Sequence, residues 1–201
     1  MEITCIRIKK FSIIDDEIHI VYMSPEFLIH GDGFELCETL ANEKKLGLFM
    51  EFKNEIGLIQ RRMASSIAGT SRRLEILNAL NIQSGQHVLD IGCGGGHLLE
   101  EIAKAVGPEG KAYGLDTSED QLKQARKRCS SYENVLTIKG YANQVDLENH
   151  SCDAICSVQT FEYIDNVDDS IKELTRLLKP SSIFVNISIP VSYTHLRAHE
   201  T

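Results

Sequence analysis

The run Asp90-Ile91-Gly92-Cys93-Gly94-Gly95-Gly96 constrains the fold of this chain more than any other stretch. Its glycines end a short apolar segment, Val88-Leu89-Asp90-Ile91, and open a helix expected from Leu98 to Val106. Glycine is needed where the backbone turns with positive φ, and where a ligand must approach the chain without meeting a Cβ. A helix beginning there turns its free N–H groups toward whatever lies over the loop, which favours a carboxylate or phosphate. The stretch therefore predicts a site for a nucleotide-like ligand with an anionic end.

The alternation of strand and helix continues downstream. Gly107-Pro108-Glu109-Gly110 reads as a turn, and Ala112-Tyr113-Gly114-Leu115 as a second strand. Ser118 is placed to cap a helix through Cys129, with Leu122 and Ala125 on one face. Val135–Ile138, Asp153–Val158 and Ile183–Ile187 predict the third, fourth and fifth strands. A helix from about Val167 to Leu178 should stop at Lys179-Pro180, because proline cannot continue it. Strands alternating with helices through short connections predict an α/β fold, a mostly parallel sheet with helices on both faces.

Upstream the pattern is weaker. Ile3–Ile8 and Glu17–Tyr22 have β-type composition on either side of an Asp15-Asp16 turn, which suits a hairpin. From Phe34 to about Arg62, Leu36, Leu40, Leu46, Phe49 and Met50 fall at helical spacings. Gly69-Thr70 is expected to break that pattern, with Thr70 or Ser71 capping a helix that ends at Leu80 and is closed by Asn81 and Ser84-Gly85. Arg72-Arg73 and Arg126-Lys127-Arg128 read as solvated helix faces, and His97 as a surface residue.

Bulk properties narrow the partners. The formal net charge of −8 argues against a polyphosphate held by bulk electrostatics, so no DNA partner is expected. Apolar runs are too short for a membrane span. The N-terminus lacks the pattern of a secretory signal, so a cytoplasmic location is expected. The six cysteines form no Cys-x-x-Cys pair and are expected as free thiols, with Cys152 and Cys156 in the core. No metal site is expected.

A second acid stands twenty residues beyond Gly96, where Asp116 ends the second strand. A carboxylate there can accept both hydroxyls of a ribose, each bond contributing roughly 1.5–3 kcal/mol. NAD-binding proteins place an acid similarly, and a helix N-cap would also suit Asp116. The dinucleotide fingerprint Gly-x-Gly-x-x-Gly, however, needs glycine or alanine at position 97, which here is His97.

The spacing Asp-x-Gly-x-Gly-x-Gly instead resembles motif I of class I S-adenosylmethionine-dependent methyltransferases of the methyltransferase type 11 kind, over about residues 70–189. The resemblance implies a Rossmann-like methyltransferase fold with S-adenosyl-L-methionine as cofactor. It implies that the loop at Gly92, Cys93 and Gly94 wraps the methionine part, that Asp90 helps hold its amino group, and that Asp116, followed by Thr117, serves the ribose. Gly140-Tyr141-Ala142 stands where relatives often have Gly-Asp-Ala. Tyr141 thus replaces an acid that reaches adenine, and can stack or donate through its hydroxyl, while Ala142 would contact the ring through its backbone. Ser157-Val158-Gln159-Thr160-Phe161-Glu162-Tyr163 resembles motif IV, with Gln159 near the methionine portion. Glu162 and Tyr163 would open a helix. Leu178-Lys179-Pro180-Ser181-Ser182 stands where many relatives have Leu-x-Pro-Gly-Gly, which suggests a less tight turn.

A sulfonium methyl donor is already activated, so alignment and exclusion of water carry the reaction, and no catalytic residue is assigned. The implied acceptor is an unidentified small molecule. An NAD(P)-dependent oxidoreductase and a non-catalytic S-adenosylmethionine-binding module remain as alternatives.

The organisation expected is an N-terminal elaboration over 1–69, the cofactor-binding domain over 70–189 and a non-native tail over 190–201. Val191–Thr201 loses all periodicity and resembles a translated sequencing adapter, so His195 and His199 are left out of the functional reading. Relatives finish with two further strands, so the sheet is expected to be incomplete at its C-terminal edge. The outer edge of the fifth strand would then be bare, and the chain alone would aggregate or bind cofactor weakly.

Overall fold

The structure, a computed structural model, describes residues 7–14, 17–23 and 54–188. The expectations for Phe34 to Lys53, for Cys5 and Cys37, and for the tail lie outside these residues. Seven strands form one sheet in the order β2-β1-β7-β6-β3-β4-β5. They are β1 (Arg7–Ile14), β2 (Glu17–Met23), β3 (His87–Ile91), β4 (Lys111–Asp116), β5 (Val135–Lys139), β6 (Cys152–Val158) and β7 (Leu178–Ser188). The described helices are α1 (Asn54–Ser65), α2 (Ile67–Leu80), α3 (His97–Val106), α4 (Glu119–Arg128) and α5 (Val167–Leu177), with a 3-10 turn at Phe161–Tyr163.

The five strands from β3 to β7 run parallel, as the alternation of strand and helix requires. Neighbouring positions on β3 face opposite cores, which is why its sequence is almost continuously apolar. Val88 packs with Ile76 of α2, Leu99 and Ile102 of α3 and Leu122 of α4. Leu89 packs with Leu174 and Leu177 of α5 and with Phe184 of β7. Helices therefore cover both faces. The chain builds outward from β3 through β4 to β5, then returns to β3's other side for β6 and β7. That reversal leaves a crevice at the carboxyl ends of the strands, the usual ligand position in open α/β sheets.

The outer edge of β7 is not bare. β1 pairs antiparallel with it, from Arg7 opposite Ser188 to Ser12 opposite Ile183, and β2 follows β1 in a hairpin. The N-terminal hairpin read from the sequence is present in its described strands, Arg7–Ile14 and Glu17–Met23, while Ile3 to Ile6 lie outside the described residues. The strands that pair with this edge over Ile183–Ser188 come from before the parallel sheet.

Two local expectations need correction. Gly69-Thr70 does not break a helix. Ser66 caps α2 by accepting from the Gly69 N–H at 3.1 Å, and Gly69 lies inside the first turn. A Cβ there would come within 2.4 Å of the Met63 carbonyl oxygen, so this glycine permits a tight turn between α1 and α2. Lys179-Pro180-Ser181-Ser182 is not a turn before the last strand but a bulge within it. Cys152 pairs with Leu178 and Ala154 with Ile183, and Ser181 takes a φ of 63°, a left-handed geometry that favours glycine.

Among the described residues no helix is long and apolar enough to cross a membrane. Cys93, Cys129, Cys152 and Cys156 are buried free thiols.

Candidate functional site

β3 delivers the glycine loop to the crevice, and three positive φ values bend it: 71° at Gly92, 52° at Gly94 and 79° at Gly96. Two of these glycines are also demanded by the protein's own packing. A Cβ on Gly92 would lie 2.0 Å from Thr160 Oγ1, and one on Gly96 would lie 2.8 Å from the Ala125 Cα of α4. The end of β6 thus rests on the first glycine, and α4 on the last.

The loop amides differ from expectation, since most of them have partners inside the protein. Gly92 and Cys93 both donate to the Leu115 carbonyl, at 2.8 and 3.0 Å, and Gly96 donates to the Cys93 carbonyl at 3.0 Å. Gly94 donates to Asp116 Oδ2 at 2.9 Å. The loop folds down onto the end of β4, so its shape is set before any ligand arrives.

Asp116 is the hub of that arrangement. Its Oδ1 accepts from the Ser118 N–H at 2.8 Å while Oδ2 holds Gly94. Ser118, not Asp116, caps α4 through its side chain. Burial raises the Asp116 pKa, and the Ser118, Gly94 and Thr117 amides counteract this. Each carboxylate oxygen has two lone-pair directions, so both can accept a further hydroxyl without releasing an amide.

Asp90 lies deeper, with 2% of its surface exposed. Cys156 Sγ faces its Oδ1 at 3.8 Å. Its Oδ2 is buried and has no hydrogen-bond partner among the described residues. Burial first, and the neighbouring Asp116 second, push its pKa up to about 7. The surrounding Cys93 and Cys156 thiols are pushed well above their ordinary range, chiefly by burial, so they stay neutral. A buried carboxyl with one unpartnered oxygen beside a second carboxylate favours a cation.

The remaining residues anticipated from the sequence fall into two groups. Gly140 donates to the Asp116 carbonyl at 3.2 Å, which brings Gly140-Tyr141-Ala142 beside the end of β4. There Ala142 is buried in the core on the α5 side, whereas Tyr141 is 70% exposed. Thr117 is exposed next to Asp116. Gln159 follows β6 with a φ of 53° and donates its N–H to the Ile187 carbonyl at 2.7 Å. His97 starts α3, half-buried, its Nε2 2.9 Å from Ser65 Oγ. Burial, then Arg128 and Arg73, lower its pKa to about 4, so it is neutral near pH 7.

Sequence reading missed the basic residues around the loop. Arg61 of α1 lays its side chain 3.1 Å from where a Gly95 Cβ would stand and donates to Gln121 Oε1 at 3.1 Å. Arg128 donates to the Gly95 carbonyl at 3.0 Å. Arg73 pairs with Glu101 at 3.0 Å. Arg72 is not a solvated residue: it is 6% exposed and donates through Nη1 to Gln159 Oε1 at 2.8 Å. A signal for this existed, because Arg72, Ile76 and Leu80 recur every four residues on the buried face of α2. Arg126 and Lys127 are exposed as expected, and Arg128 is exposed but hydrogen-bonded to the loop.

A family model described as "Methyltransferase domain" matches residues 82–199, from just before β3 onward. The chain belongs to this methyltransferase family. Its class I, S-adenosylmethionine-type fold is the one that the glycine loop implied. A demethylmenaquinone methyltransferase of Geobacillus stearothermophilus is 34% identical over 115 residues, 56% of this chain and 49% of that one. The structure of an S-adenosylmethionine-dependent methyltransferase from Aquifex aeolicus matches 79% of the chain and 73% of its own, with 24% identity and a TM-score of 0.55. A Methanococcus maripaludis protein described as a putative methyltransferase of the same kind matches 66% and 62%, with 19% identity and a TM-score of 0.58. The chain spans about half the length, or less, of the curated relatives it matches.

Proposed function

We propose that this methyltransferase domain binds S-adenosyl-L-methionine across the carboxyl ends of β3 and β4 and transfers its methyl group to a small-molecule acceptor. One observation carries the reading: buried Asp90, with an unpartnered Oδ2, stands beside Asp116 under a loop built of glycines. That donor set fits a zwitterionic nucleoside. Asp90 would receive the amino group and Asp116 the ribose hydroxyls, with Thr117 at the rim. Gly92, Cys93 and Gly94 would let the methionine part approach the backbone, and Gln159 would border its far side. Tyr141 would cover adenine, with the Ala142 backbone at the ring edge.

The cofactor supplies a methyl carbon already activated by positive sulfur. The protein's own groups then have to fix orientation and keep water away, and the over-determined loop suits that task. No side chain is assigned as a general base. The overall charge of −8 favours a small acceptor over nucleic acid. The same reading takes 70–189 as the cofactor-binding unit, 1–69 as its elaboration and the cytoplasm as its compartment.

Thermal-shift and calorimetric titration with S-adenosylhomocysteine and with NAD test the cofactor. Stabilisation by the first and none by the second is expected, and the reverse would favour an oxidoreductase. Transfer of labelled methyl to small molecules of a cell extract tests catalysis. Tight binding of the nucleoside without any labelled product would leave a binding module in place of an enzyme.

A further inference from the structure

Burying a guanidinium is costly unless the charge has a task, because an apolar side chain would fill the same place on a helix face at less expense. Arg72 occupies such a place. It lies on the stripe of α2 that carries Ile76 and Leu80 into the core, yet it extends Nη1 to Gln159, eighty-seven residues away.

Its target is strained. Gln159 has a left-handed φ of 53°, unfavourable for any residue with a Cβ by about 1 kcal/mol and maintained only where surroundings impose it. Three contacts impose it here. The Gln159 N–H donates to Ile187 of β7, its Oε1 accepts from Arg72, and the Thr160 hydroxyl donates to the Val158 carbonyl at 3.2 Å. The turn they fix sets Thr160 against the Cα of Gly92. With Oε1 engaged by the guanidinium, the donors of the Gln159 amide are on its other terminal atom.

We infer that Arg72 is a positioning residue for the nucleoside site: it sets Gln159 and, through the same turn, the seat of Thr160 on the glycine loop. It acts from outside the matched residues 82–199, on a helix that precedes the parallel sheet. The inference rests on the cofactor reading above.

A double-mutant cycle read by calorimetry with S-adenosylhomocysteine tests it. Arg72→Met and Gln159→Ala should each weaken binding by about tenfold, and the double variant should be no weaker than either alone. Arg72→Lys should recover part of the affinity. Gln159→Glu keeps Arg72 paired while replacing the amide N–H groups by an acceptor. It should retain the unfolding temperature and still lose affinity, which keeps the test valid if Arg72→Met fails to fold. Additive losses, or undiminished affinity in Gln159→Glu, would overturn the positioning role. Absence of binding by the unaltered chain would instead overturn the cofactor reading itself.

Discussion

The two ends of the crevice are built differently. At the Asp90 end, the loop amides, the Asp116 carboxylate, Thr160 and Gln159 hold one another in place, while Asp90 Oδ2 has no partner among the described residues. At the Tyr141 end, an exposed ring and an exposed Thr117 flank the mouth. The first end is shaped in advance, so a ligand gains contacts there without ordering the protein. On the proposed reading the second would have to close its ring on the ligand, part of the interaction being offset by lost side-chain freedom. If the nucleoside lies as proposed, selectivity for its amino-acid part would belong to the sheet, whereas adenine contacts would be adjustable.

The largest expected effect comes from filling the rigid end. Gly92→Ala places a Cβ on Thr160 at a φ that alanine resists, at a combined penalty of roughly 2–5 kcal/mol. Thermal unfolding should show a large fall, with nucleoside binding lost. A variant of unchanged stability would mean that the loop is not shaped in advance. Asp116→Ala should weaken S-adenosylhomocysteine by on the order of 100-fold, through two lost ribose bonds and a released Gly94 amide. Calorimetry showing less than a threefold change would remove Asp116 from the site.

Asp90 sharpens the comparison through pH. A cationic amino group favours the carboxylate, so affinity should rise about tenfold from pH 6 to pH 8 around the pKa of about 7 and then level off. Asp90→Asn should bind weakly with that dependence gone. Folding stability should move the other way. The folded state keeps the Asp90 proton that the unfolded chain releases near pH 4, so this group's contribution falls as pH rises from about 4 to about 7. Asp90→Asn should therefore be the more heat-stable protein at pH 8, with the difference vanishing near pH 4. An affinity flat across pH 6–8 would mean that Asp90 does not meet the cation. The smallest effect is expected at the open end, where Tyr141→Ala should change affinity by less than about threefold. A larger loss would show the two ends to be equally organised.

The parts of this molecule legible in the sequence were those whose signal is local. Glycines at a strand end, Ser118 before a helix and apolar runs in the five parallel strands each declare their geometry within a few residues. Asp90 and Asp116 were legible for the same reason, since they stand at fixed offsets from the loop. What was missed depends on partners far along the chain. Arg72 looks solvated until Gln159 is brought to it, and the loop amides look free until Leu115 and Asp116 lie beneath them. Gly69 reads as a breaker because its neighbour in space, the end of α1, leaves no mark on its own position. The cover on the edge of β7 was misjudged likewise, because the β1 residues that pair with it, from Arg7 opposite Ser188 to Ser12 opposite Ile183, precede it by most of the chain.

The proposed function turns on where the nucleoside lies, and a crystal structure of the chain with S-adenosylhomocysteine measures that directly. It should show the amino group within about 3.2 Å of Asp90 Oδ2 and both ribose hydroxyls on Asp116, with the Gly94 bond retained. A nucleoside bound elsewhere, or a ribose that leaves Asp116 untouched, would contradict it.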